Sequence, residues 1–469
     1  MVEIDSPSAV APHAGGPATG TLPLAPRNPL PYRQQIKALR YFIEGHQRLR
    51  DAGGPVNRIV LGPRWLVPQV LMVTSPQGAR DVLGRPDAVA DRGGALNMIE
   101  LRRLMGGNLL NLPHEHWLPR RRTLQPMFTK QHVPRYAGHM ATAAQDVADS
   151  WDDGATVDLD AACRALTLRA LGRSVFGLDL DERADDVGPA LRASLSWISD
   201  RSTHPVKLPQ WVPTPAQRRA KAGNARLHQL AAEILTAVRA DPDRDAPLVR
   251  ALIDARDPDT GLRLTDDEIC HELVLFMLAG HDTTSTTLCY SLWALGCHPE
   301  IEARVHAEVA ALGERTLTPE DVPHLEYTVR VLHESLRLCP PGAGTPRMLN
   351  EEIVVDGYRV EAGTMAMVNF YVMHRDPALW DDPLTFDPDR FNPDRSAGRS
   401  RWQYLPFGGG PRSCVGDHFA MLEATLALAT LVRAAHVESL HDDFPVETPF
   451  TVVAAEPIPA RITKRRSTP

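Results

Sequence analysis

Cysteine is scarce in this chain, and its spacing suits no framework. Six cysteines stand at 163, 270, 289, 297, 339 and 414 of 469 residues, with no CxxC pair, which excludes a disulfide scaffold. Reduced thiols, as in a cytosol, are expected. Long apolar runs are missing too, so no segment reads as a membrane span. The first 31 residues lack a basic stretch followed by an apolar one, and are expected to be neither signal peptide nor membrane anchor. No P-loop occurs, and no GxGxxG follows a strand-like run, so neither a nucleotide site nor a fused flavin reductase is expected. His271-Glu272 and His333-Glu334 have no second histidine four residues on, which removes the zinc-protease helix. Positive charge is in slight deficit, with 51 Lys+Arg against 58 Asp+Glu and a net charge of −7. That balance argues against nucleic acid as the main partner.

What remains is an ordinary globular composition, 43% hydrophobic and 23% charged, able to bury a large core. Prolines at 7, 12, 17, 23, 26, 29 and 31 make residues 1–31 read as a flexible tail ahead of a single domain over 32–469. The apolar stretch 59–73, cut by Pro63 and Pro68, predicts short strands joined by turns. Helical patterns dominate from about 76 to 340. Strand-like pieces follow around 353–360 and 365–371, and a last long helix is expected from just after Gly416 to about Ala435. The fold class is mainly α with minor β, the β-rich regions lying near the N-terminus and in the last third. Asp257 to Gly261 reads as a turn, and His114-Glu115-His116 as a solvated turn.

The clearest helix begins after Thr265, where Thr265 and Glu268 have capping-box spacing. It runs to about Cys297, closed by Gly296 and Pro299. Its middle reads Ala279-Gly280-His281-Asp282-Thr283-Thr284, poor helix formers whose hydroxyls and carboxylate compete with the backbone. Local rules broken mid-helix point to function. The second informative stretch, FGGGPRSCVG at 407–416, is a tight glycine loop that lets backbone approach a flat ligand. Cys414 ends it directly before a helix, where free N–H groups and the dipole favour a thiolate.

The FxxGxRxCxG spacing, met by Phe407, Gly410, Arg412, Cys414 and Gly416, resembles the haem-binding loop of the cytochrome P-450 family. Glu334 and Arg337 resemble its ExxR motif, three apart on one helix face, with Arg390 where the family places their third partner. Residues 279–284 resemble the oxygen-binding [AG]GxDT[TS] signature, and Trp117 with Arg121 the WxxxR element that meets a haem propionate. Arg347 resembles a further propionate ligand. The likeness extends over most of residues 40–435; the tail and the segments 90–112 and 195–215 are unmatched.

The resemblance implies that fold, with the long helix over the haem, and a haem-thiolate monooxygenase. Cys414 is then the axial ligand of haem b (iron protoporphyrin IX). Asp282 and Thr283 deliver protons, and Ala279 and Gly280 leave room for dioxygen. Arg412, Arg121, Arg347 and Trp117 hold the propionates, Phe407, Gly410 and Gly416 shape the thiolate loop, and Glu334, Arg337 and Arg390 are structural. It implies NAD(P)H as electron source through a ferredoxin reductase and a ferredoxin, the latter docking on a basic patch around Arg120, Arg122 and Lys130. A lipophilic substrate of terpenoid, fatty acyl or polyketide type is implied, facing Leu96, Leu109, Trp197, Phe276 and Val452 among others. The protein is expected to be a cytoplasmic monomer without a membrane anchor. A peroxide-driven enzyme and a non-catalytic haem-thiolate sensor are the alternatives.

Overall fold

Two short strands, Val56–Ile59 and Val70–Val73, pair antiparallel with Pro63 and Pro68 between them; the first lies ahead of the apolar stretch 59–73 and shares only Ile59 with it. The second runs parallel to Met365–Asn369, which pairs antiparallel with Gly344–Leu349, and Ala90–Asp91 closes the sheet. Alternation along Val70–Val73 feeds two cores. Leu71 and Val73 join Ala366, Val368 and Leu349 on one face, while Val70 and Met72 pack with Ile59 and Leu49 on the other.

The computed structural model describes residues 22–465, apart from 66, 181–182, 204–211, 258–260 and 262. Most of the expected tail, the middle of the Asp257–Gly261 turn and much of the 195–215 segment thus lie outside the described residues. Residues 22–31, however, are no free tail. Leu24 and Arg27 bridge to Arg359 and Arg58, and Ala25 is fully buried.

The chain forms two compact units, one of residues up to Ala95 with Gly344–Ser413, the other of Leu96–Ala343 with the residues from Cys414 onward. Neither is a single stretch of sequence. The first holds the five-stranded sheet, the helices Tyr32–Arg40, Glu44–Gly53 and Pro76–Leu83, and the hairpin Ile353–Val355 and Tyr358–Val360. The second is helical, with a three-stranded sheet of Thr156–Asp158, Pro459–Lys464 and Ala435–Ser439 and a small hairpin.

The long helix of the second unit spans Asp266–Cys297, 32 residues or about 48 Å. Thr265 caps it by the expected reciprocal bonds with Glu268. Against it pack Leu159–Leu171, Pro215–Ala240, Glu326–Leu338 and Asp417–Ala434. The poor helix formers are absorbed without a break, because their hydroxyls return to carbonyls one turn back. Thr283 Oγ1 donates to Ala279 O at 2.7 Å, Thr286 to Asp282 O at 2.9 Å and Thr287 to Thr283 O at 3.0 Å. No described helix is long and apolar enough to cross a membrane.

Candidate active site

The long helix shows where chemistry can occur. From Glu272 to Leu292 every residue is buried except Ala279, Gly280 and Thr283. A 4-residue step is about 40° around a helix, so Ala279 and Thr283 open on one side, and a guest there meets a small side chain and a hydroxyl.

The next face is held by the helix Leu159–Leu171. Arg164, Thr167 and Leu171, spaced three and four apart, share one stripe and meet Asp282, His281 and Gly280 in turn. Arg164 Nη1 donates to Asp282 Oδ1 at 2.7 Å, and its Nε to Asp160 Oδ2 at 2.7 Å. Thr167 Oγ1 lies 3.2 Å from both His281 Nδ1 and His281 O. Burial lowers the His281 pKa to about 4, so its ring is neutral. A Cβ on Gly280 would come within 2.8 Å of Leu171. The Leu171 side chain thus packs closely against the Gly280 face of the long helix. None of these three partners belongs to the motifs; their only sequence signal is an arginine and a threonine on one stripe of an otherwise apolar helix.

In the first unit, Gly408 and Gly410 adopt φ of +70° and +72°, the left-handed region that favours glycine. A Cβ on Gly410 would lie 1.8 Å from Leu83 O. This close approach fixes the turn that leads to Arg412 and, in the second unit, to the exposed Cys414. The helix Asp417–Ala434 starts three residues later with Gly416 as its N-cap. Phe407 is half-buried.

Three guanidinium groups gather near that turn. Arg412 Nη2 reaches Asp87 Oδ2 at 2.6 Å and Asp91 Oδ1 at 3.5 Å. Arg92 Nη2 donates to Arg412 O at 3.0 Å and to Thr345 Oγ1 at 3.3 Å. Arg347, only 2% exposed, donates from Nη1 to Thr345 Oγ1 and Pro346 O, and no described carboxylate pairs with it. Burial, together with Arg92 and Arg412, pushes its pKa well below the arginine value. A buried cation with neutral partners is costly, and an anionic guest relieves that cost. This fits a haem carboxylate, and the chemistry of the Cys414 loop fits its iron.

Trp117 and Arg121 stand on His114–Leu124. Trp117 is buried, and Arg121 Nε donates to Gln125 Oε1 at 3.2 Å. The neighbour expected on the surface is the buried one: Arg120 donates to Glu272 Oε1 at 2.6 Å and Glu268 Oε1 at 3.1 Å. Arg120 therefore leaves the expected basic patch, while Arg122 and Lys130 are exposed. Phe276 is also placed differently from the expectation. Its ring stacks on Phe128 at 5.5 Å, which meets Phe419 edge-on, so it fills core, as do the buried Leu101 and Val453. Glu334 and Arg337 form a fully buried two-point pair at 2.7 and 2.8 Å. Arg390, in the first unit, donates to Asp381 O and Asp382 O.

The chain is 35% identical over 425 residues to cyclooctat-9-en-7-ol 5-monooxygenase of Streptomyces melanosporofaciens, covering 90% of this chain and 89% of that one. It is 32% identical over 384 residues to pentalenene oxygenase of Streptomyces avermitilis, covering 81% and 84%. Its structure superposes on the crystal structure of a cytochrome P450DA mutant heme domain with a TM-score of 0.80 at 25% identity, over 95% of this chain and 98% of that one. The profile of the family described as Cytochrome P450 matches residues 24–463. The chain belongs to the cytochrome P450 family.

Proposed function

We propose that this enzyme inserts an oxygen atom into a C–H or C=C bond of a lipophilic terpenoid, with electrons from NAD(P)H through a ferredoxin reductase and a ferredoxin. As a cytochrome P450 it is an oxidoreductase of the monooxygenase type that uses haem b with a cysteine thiolate ligand. When bound, the haem supplies the iron that activates dioxygen.

The observation that carries the reading is the window at Ala279, Gly280 and Thr283 in an otherwise buried stretch of helix. In the second unit Cys414 would hold the iron, with Gly416 opening the helix behind it and Trp117 and Arg121 donating to a carboxylate. In the first unit Arg347 and Arg412 would neutralise carboxylates, Gly410 would fix the turn and Phe407 would shield the sulfur. Thr283 Oγ1 keeps its own proton on Ala279 O, so its lone pairs are left to accept a hydrogen bond from a guest or a water at the window. Asp282 Oδ1 is occupied by Arg164; its Oδ2 would take up and release the proton. Such a relay supports an oxygenase over a peroxide-driven enzyme or a sensor, neither of which needs delivered protons. Glu334, Arg337 and Arg390 would act in folding.

Two observations support an uncharged, bulky substrate. The charged groups on 96–112 are engaged within the protein: Glu100 accepts from Arg103 at 3.1 Å and Arg201 at 2.9 Å, and Arg102 donates to Asn111 O. The relatives are also named for cyclooctat-9-en-7-ol and pentalenene, which are polycyclic terpene skeletons.

The test uses purified holoenzyme. The ferrous carbonyl complex should show the red-shifted Soret band of a thiolate ligand, lost in Cys414→His. Cyclic terpenes should then give a spin-state change on binding, and NADPH and oxygen should be consumed in equal amounts with product when a ferredoxin and its reductase are added. Reduction by the ferredoxin should slow with added salt and in Arg122→Glu. No red-shifted band would remove the haem-thiolate reading, and binding of fatty acids alone would remove the terpenoid one.

A further inference from the structure

Glu272 is fully buried on the long helix, two turns before Ala279. Seven residues return to within about 20° on a helix, so Glu272 shares the side on which Ala279 opens. The proton relay described above does not use it. Its two oxygens instead join two other elements. Oε2 accepts the backbone N–H of Leu109 at 3.1 Å, and Oε1 accepts Arg120 Nη1 at 2.6 Å. Leu109 belongs to the loop between the helices Leu96–Met105 and His114–Leu124.

That loop is otherwise tied to itself and to nearby helices. Asn108 N donates to Asn111 Oδ1, Asn111 Nδ2 to Gly106 O, and Arg102 Nη1 to Asn111 O. Gly106 has φ of +82° and no room for a side chain, since a Cβ would strike the His271 ring at 2.2 Å. A loop so closely braced has one main freedom, which is to move as a piece relative to the long helix. The Leu109 N–H bond to Glu272 restrains that movement. Buried ion pairs are weak contributors to stability compared with packed apolar residues, so stability alone is a poor account of a carboxylate here. Geometric control of the loop is a better one.

We propose that Glu272 is a positioning residue that, through Leu109 N–H and Arg120, sets where the 106–112 loop lies along the Ala279 side of the long helix, and thereby governs entry of ligands to that side. The inference rests on the reading above that this side faces the bound haem and substrate.

The charge state of Glu272 is open to change. Burial raises its pKa to about 7, against the pull of Arg120 and of the Leu109 N–H. The charged groups facing it are Arg120 from His114–Leu124 and Glu268 on its own helix. Its neighbour His271 faces His228 at 5.3 Å, with Asp267 and Glu268 nearby, and burial keeps both imidazoles below their usual value. Burial thus favours the uncharged form of both rings. When Glu272 takes a proton, its hold on Arg120 weakens, Arg120 keeps Glu268, and the loop loosens.

Carbon monoxide, which does not titrate, is the probe. In ferrous holoenzyme its association rate after flash photolysis should rise several-fold as pH falls through about 7. Glu272→Gln mimics the protonated form; at every pH it should show the fast carbon monoxide association and the faster hydrogen exchange over 106–112 that wild type reaches at low pH, and it should lose the pH dependence. Arg120→Met should move the inflection to higher pH, because the cation favouring the carboxylate is gone. Glu272→Leu should lose the exchange protection. The proposal is overturned if the inflection persists in Glu272→Gln, or if 106–112 stays protected in Glu272→Leu. Should Glu272→Leu not fold, the other two variants still decide. Failure of the reading beneath it looks different: wild-type enzyme would lack the red-shifted carbonyl band altogether, while the exchange comparison would still report on the loop.

Discussion

Arg164 Nη1 lies 2.7 Å from Asp282 Oδ1, and the carboxylate is only 2% exposed. The aspartate of the oxygen-binding signature is thus held in an ion pair on the helix Leu159–Leu171. The pair fixes the orientation of the carboxylate and occupies its Oδ1.

Arg164→Met should therefore destabilise the fold by about 3–5 kcal/mol, the usual consequence of stranding one member of a buried pair. Asp282→Asn should also destabilise. The double variant should lose less than the two losses added together, because each change removes the reason for the other. Urea unfolding of the four proteins measures the coupling. Additive losses would mean that Arg164 is held mainly for Asp160. Product formation in Arg164→Met should slow and show a larger solvent isotope effect.

The sequence carried the long helix to within a residue at each end, because a capping box and a Gly–Pro stop are local signals. It also carried Cys414 and its glycine loop, since positive φ and backbone approach demand particular residue types at particular spacings. Partners chosen by tertiary packing were not legible. Arg164 and Thr167 look like any polar residues on a helix until Leu159–Leu171 is seen lying against Asp282 and His281. Arg120 and Arg121 are adjacent arginines, and which one turns inward depends on Glu272 and Glu268, some 150 positions away. Phe276 reads as apolar in either role; only the stack on Phe128 assigns it to the core.

Thr283 tests proton delivery. Thr283→Ala removes the half-exposed hydroxyl at the window and its bond to Ala279 O, leaving Cys414 and Arg347 untouched. NADPH and oxygen should still be consumed, with most of the reducing power appearing as hydrogen peroxide instead of product. Thr284→Ala is the control, since Thr284 is buried, about 100° round the helix; it should cost some stability and keep coupling. Full coupling in Thr283→Ala would show that another group supplies the hydrogen bond. Equal peroxide yields in both would point to a distorted helix.

Arg347 predicts opposite effects on apoprotein and holoprotein. Without an anionic guest, a buried guanidinium whose described acceptors are Thr345 and Pro346 alone is a burden. Arg347→Leu should raise the unfolding midpoint of haem-free protein. The same change removes a charge-assisted donor, so haem should transfer faster to apomyoglobin. If both forms change stability in the same direction, Arg347 serves packing alone.

Glu423 offers the last test, because it is the plainest violation of burial rules in the second unit. It lies fully buried in Asp417–Ala434, among alanine, leucine and threonine, and among the described residues neither carboxyl oxygen has a hydrogen-bond partner. Burial raises its pKa well above the glutamate value. A carboxyl whose folded-state pKa is raised binds its proton more tightly when folded, so stability is fullest below the ordinary value and falls as pH rises. The loss is about 1.4 kcal/mol for each pH unit until the buried group ionises. Glu423→Gln is isosteric and cannot ionise. Its denaturant midpoint should match wild type near pH 5 and exceed it at pH 8, with the gap widening steadily between. A gap of constant size would mean that the carboxyl finds a donor in solution and is charged throughout. A variant less stable at every pH would mean that the carboxylate, and not the carboxylic acid, is the form the helix was built around.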